Sequence, residues 1–122
     1  MNAMVVRSPE RHTQTSQTSG MVREEAFHTD NTWAGVGRNS ARAVSGWHHH
    51  GDHESTIYVL SGLVRIECGP GGGTVLDGGP GDFLFIPPRV VHRESNPTDA
   101  TTEIVLVRAG QGEVVTNVDG PA

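Results

Sequence analysis

"STIYVLSGLVRIECGPGGGTVL", residues 55–76, decides the fold. The opening "STIYVL" is rich in β-branched and aromatic residues, a composition that suits a pleated, half-buried surface. Ser61-Gly62 then turns the chain. "LVRIEC" (63–68) alternates, with Leu63, Arg65 and Glu67 opposite Val64, Ile66 and Cys68, as the two-residue period of a strand requires. "GPGGG" (69–73) is a hairpin tip, and "TVL" (74–76) is the returning strand. The glycine run is not read as a phosphate cradle. Such a loop opens a helix and usually ends in Gly-Lys-Ser/Thr, whereas a strand follows here.

The same rhythm extends in both directions. Downstream lie "DFLFIP" (82–87), "VVHRES" (90–95), "TEIVLVR" (102–108) and "EVVTNV" (113–118); upstream lie "TWAGVGR" (32–38) and "ARAVSGW" (41–47). "MVREEAFH" (21–28) reads equally as a helix or a further strand. The sum is an all-β chain of about nine or ten short antiparallel strands, which pack as a single jelly-roll barrel or sandwich. Before residue 21 the composition changes. "SPERHTQTSQTSG" (8–20) carries too few apolar side chains to offset its ordering entropy. Residues 1–20 are expected to be a flexible or loosely attached arm, with Met4, Val5 and Val6 as a short edge strand. Residues 21–122 are expected to be the barrel domain.

Composition limits the function. A chain of 122 residues holds one core. No apolar run approaches the ~20 residues of a membrane helix, and "MNAMVVRSPE" lacks the apolar segment of a signal peptide. The single cysteine, Cys68, excludes an internal disulfide and suits a reducing cytoplasm. A net charge of −5 without a basic run speaks against nucleic acid and anionic membrane as partners.

The chemistry is concentrated in histidine. Of seven, four fall at positions 48, 49, 50 and 53. In a strand, His48 and His50 share a face and His49 takes the other, so two imidazoles can reach one ion. Glu54 follows past a Gly51-Asp52 bend and can add an oxygen. His92 stands alone in "VVHRES". Three neutral imidazoles and a carboxylate, with positions left open, suit one divalent ion of Fe, Mn, Ni, Co, Cu or Zn. His49 reads as a surface or supporting residue, and His12 and His28 as incidental. Trp47, Tyr58, Phe83 and Phe85 read as core or rim. Cys68 reads as a small buried side chain. Glu94 shares the His92 face, either as a rim ion pair or as a group acting near the ion. No strained Gly-x-Ser-x-Gly elbow supports a serine nucleophile.

Two stretches carry a family resemblance. "SGWHHHGDHESTIYVLSG" (45–62) resembles the first motif of the cupin superfamily through His48, His50 and the tail "YVLSG". "GPGDFLFIPPRVVHRESN" (79–96) resembles the second through Gly81, Pro87, His92 and Asn96, with Arg89 where the family usually has Gly. The resemblance implies a small barrel with a metal in its mouth and a homodimer. It also implies a small-molecule substrate or ligand. The implied reaction types are diverse: dioxygenase, isomerase, cyclase or lyase. A non-catalytic binding or sensor module and a metal-free remnant are the alternatives. In the first motif two counts compete. Counting back from Gly62 puts Ser55 where the family has Glu; counting forward from His50 puts Glu54 there. Adjacent strand residues face opposite ways, so the fourth ligand is Glu54, His53 or water.

Overall fold

The computed structural model describes residues 2–13 and 18–121. Among these it forms two antiparallel sheets. The first runs β1 (His12–Thr13), β2 (Met21–His28), β3 (Thr32–Asn39), β10 (Thr102–Ala109), β5 (Glu54–Ser61) and β8 (Phe83–Ile86). The second runs β11 (Thr116–Asn117), β4 (His48–His49), β9 (His92–Ser95), β6 (Val64–Cys68) and β7 (Thr74–Gly78). This is the jelly-roll architecture expected from the strand count.

The inner faces meet over Ile57, Val59, Val64, Ile66, Leu84, Ile86, Ile104 and Leu106, with Trp33 and Val90 packed against them. The 63–76 hairpin forms as expected. β6 pairs with β7 from Val64↔Gly78 to Cys68↔Thr74, and Val64 and Ile66 are buried. Gly62 makes the preceding turn at φ +85, and a Cβ there would lie 2.4 Å from the Thr102 hydroxyl. That hydroxyl is committed to Leu63, accepting from its N–H and donating to its carbonyl.

Two local expectations change and two open ones narrow. "MVREEAFH" is a strand, paired with β3 along its length. "ARAVSGW" is reduced to one bridge, Val44↔Ser95, because Arg42 takes a left-handed turn at φ +64. Met4, Val5 and Val6 lie in no strand; His12 and Thr13 instead pair with Glu25 and Glu24 of β2. Glu24 is held from both sides by Arg11 and Arg38. Residues 14–17 of the expected arm lie outside the described residues. Phe83 and Phe85 are 71% and 54% exposed, on the outer side of edge strand β8 rather than in the core.

Candidate metal centre

Each inward row of side chains changes character at the same level of the sandwich. On β10 it runs Ile104, Leu106, Arg108. On β5 it runs Val59, Ile57, Ser55, and the next inward position is His53. Beyond that level lies an open cavity of about 960 Å³. Its walls include His48, His50, His53, Arg23, Glu94 and Arg108.

His48 and His92 are direct partners across the β4–β9 ladder, and His50 follows His48 on the same face. Ligand-capable nitrogens of the three lie within 4.8 Å of one another. Their ring centroids are 4.4 to 5.1 Å apart. Backbone carbonyls orient every ring. Nδ1 of His48 donates to Gly46 O at 2.8 Å, that of His50 to Val114 O at 2.7 Å, and that of His92 to Val90 O at 2.9 Å. His53 repeats the arrangement, its Nδ1 donating to His50 O at 3.1 Å. A carbonyl can only accept, so each Nδ1 carries the proton and each Nε2 keeps its lone pair. His49 is wired the other way: its Nδ1 accepts from the Gly51 N–H at 3.0 Å.

Burial favours the neutral form of His48, His50 and His92. It pushes His50 down to about 3, helped by the positive charge of Arg108, and His92 down to about 4. His48 is lowered for the same reason. A cluster of neutral, pre-oriented Nε2 atoms is what a divalent transition metal requires of a protein. The donor set therefore fits the ion expected from the sequence.

The register of β5 bears on the fourth position. Glu54 is exposed on the outer face, whereas Ser55 and His53 are buried, at 1% and 8% exposure. Neither Glu54 nor His53 joins the three-imidazole group, but His53 lines the cavity. Ser55, at the position where the first motif expects Glu, has a buried hydroxyl without a hydrogen-bond partner among the described residues.

Behind the histidines lies a polar relay. Glu94 Oε2 accepts from Asn39 Nδ2 at 2.7 Å and from Arg23 Nη2 at 3.1 Å. Arg23 reaches it across Gly37, where a Cβ would stand 2.7 Å from the guanidinium. Asn96, the last residue of the second motif, has a structural role. Its Nδ2 donates to the carbonyls of Asn39, Ser40 and Ala100. Arg89 adopts φ +63, the backbone state that glycine takes freely. Its N–H donates to Gly51 O, and its side chain pairs with Asp52. The two motif loops are tied together there. Arg93 lies on the outer face, stacked on Trp47 and paired with Glu67. Cys68 is half-buried and faces His92 across the β6–β9 ladder.

Arg23 and Arg108 do not stand out in the sequence. The signal is present in "TEIVLVR", where Ile104, Leu106 and Arg108 share a parity. Val105 and Val107 are equally apolar, however, and hide which parity faces inward.

Comparison with known proteins agrees with this fold. The family model of the cupin domain matches residues 40–108, a span holding all four carbonyl-anchored histidines. The polyketide cyclase RemF of Streptomyces resistomycificus superposes with a TM-score of 0.81 at 20% identity, over 97% of this chain and 87% of that one. KdgF of a Halomonas species gives 0.74 at 20% identity, over 89% and 96%. A predicted oxalate decarboxylase of Thermotoga maritima gives 0.69 at 20% identity, over 88% and 99%. No curated protein sequence matches the chain.

Proposed function

This chain belongs to the cupin domain family, and we propose that it is a metal-dependent enzyme acting on a small organic molecule. The carrying observation is the set of imidazoles whose Nδ1 atoms are all committed to carbonyls, leaving Nε2 free. His48, His50 and His92 would hold one divalent transition ion, with His53 rather than the outward Glu54 as the fourth protein ligand. When bound, the ion supplies Lewis-acid polarisation of a substrate oxygen.

The protein's own contribution is a placed carboxylate. Arg23 and Asn39 both donate to Oε2 of Glu94, and among the described residues no side-chain bond falls on Oε1, which would exchange a proton with substrate. Arg23 and Asn39 fix the carboxylate in place. That pairing of a metal cluster with an ionisable group outside it distinguishes an enzyme from a binding module. It suits proton transfer beside a polarised carbonyl, the chemistry shared by cyclisation and isomerisation. RemF, a polyketide cyclase, supports this class by likeness of fold. Association as a homodimer through the exposed Phe83 and Phe85 belongs to the same reading, as does a cytoplasmic location. No helix among the described residues is long and apolar enough to cross a membrane.

Elemental analysis of untagged protein, purified without added metal, tests the proposal. One transition ion per chain is expected. His92→Ala should lose it and His49→Ala should keep it. His53→Gln should weaken retention, while Glu54→Gln leaves it unchanged. Glu94→Gln should hold the metal at wild-type stoichiometry. Equal metal content in His92→Ala and His49→Ala would overturn the assignment.

A further inference from the structure

The cavity has an uncompensated positive charge. Arg108 is the polar end of the inward row of β10, and its Nε is buried without a hydrogen-bond partner among the described residues. Among those residues no carboxylate pairs with it within ion-pair distance. The one buried carboxylate in the cavity wall, Glu94, is engaged by Arg23 and Asn39. The pair is therefore with Arg23 alone, and Arg108 is left outside it. Asp30 and Glu113 also border the cavity, but at its exposed rim. The Trp33 ring lies 5.8 Å from the Arg108 guanidinium and gives the cation an aromatic flank.

A half-buried cation without an ion-pair partner costs folding free energy. Burial and the neighbouring Arg23 lower the Arg108 pKa to about 10, with Glu94 only partly opposing them. The side chain is still charged near neutrality. It costs stability in the empty protein, and a ligand anion would supply the missing partner.

We propose that Arg108 anchors a carboxylate of the substrate, so that the cavity selects small organic molecules carrying that group beside an apolar or aromatic body. The planar guanidinium can take a carboxylate with two parallel hydrogen bonds, and Trp33 provides a surface for the remainder. This inference rests on the same cavity as the enzyme reading, but not on the metal. Arg108 is a binding residue here, distinct from Glu94 and from the histidines.

The test uses 2-naphthoate and its neutral isostere 2-naphthamide, titrated calorimetrically into full-length protein, both chelator-treated and metal-loaded. In the chelated wild type, naphthoate should bind at least about tenfold more tightly than naphthamide, the scale expected for a charge-assisted pair. Arg108→Gln should abolish that preference and leave naphthamide unchanged. Arg108→Lys should retain part of it, and Arg42→Gln, at an exposed pair with Asp99, should retain all of it. The melting temperature of Arg108→Gln should equal or exceed that of the wild type, because an unpaired, partly desolvated charge has been removed. A clear fall in melting temperature would assign Arg108 a structural role and overturn the proposal. So would equal affinities in the wild type, binding of neither probe at millimolar concentration, or an unaltered preference in Arg108→Gln. Metal content of every variant is measured alongside. Wild type that prefers naphthoate but takes up no metal would refute the metal reading alone; metal uptake without the preference would refute this one alone.

Discussion

The inside of the sandwich has two halves built from the same strands. In one, Ile57, Val59, Val64, Ile66, Ile104 and Leu106 fill the space between the sheets. In the other, the inward positions deliver His48, His50, His53, Glu94 and Arg108 to an open cavity. One half gains stability by removing apolar surface from water. The other desolvates imidazoles and a guanidinium and recovers only part of that cost through carbonyl and carboxylate contacts. Stability and function are divided along each strand, at the level of Leu106 and Ser55.

The largest effect should come from breaking the apolar half. Ile104→Ala, at a fully buried position, should cost about 2–5 kcal/mol in denaturant unfolding, with metal content per folded molecule unchanged. The converse change, His92→Ala, should remove the metal while costing the metal-free protein less than Ile104→Ala does. If the two variants lost stability equally, the histidine cluster would be core rather than site.

Acid should act on the polar half alone. His50 and His92 titrate near 3 and 4 in the folded chain, against about 6.5 when unfolded. Below pH 6.5 the unfolded state binds more protons, so stability is full above that pH and falls as pH drops toward 4. Each histidine contributes a slope of up to about 1.4 kcal/mol per pH unit. Melting temperatures of metal-free wild type and His50→Gln across pH 4–7 would reveal it; parallel curves would refute it.

Smaller effects sharpen the border. Ser55→Ala removes a buried hydroxyl without a partner and should leave stability equal or raise it by about 1 kcal/mol. Arg89→Gly relieves a left-handed backbone but breaks the Asp52 pair. Its net change should stay within about 1 kcal/mol, read from the same denaturant unfolding curves.

The division explains what can be read from the chain. Strands around 55–76 announce themselves because Val64 and Ile66 are apolar and Arg65 and Glu67 are not. Three site histidines are legible because imidazoles two residues apart in a strand share a face, and because the second motif keeps its spacing from Gly81 to Asn96 while the first keeps His48, His50 and the tail "YVLSG". The choice between Glu54 and His53 is not legible. It depends on the strand alternating without a break from Val59 to Ser55, and spacing alone does not report that. Arg108 is hidden by the valines that precede it. Glu94 is legible on the His92 face, yet its partners come from β2 and β3, more than fifty residues away in sequence.

The carbonyl that orients His50 belongs to Val114, 64 residues later in the chain. During synthesis His48, His50, His53 and His92 all emerge from the ribosome before it does. The four imidazoles are then present while the His50 ring still lacks the carbonyl that orients it. The His50 ring gains its anchor only after Val114 emerges and β11 closes on β4, so the proposed metal centre would be complete only with the last strand.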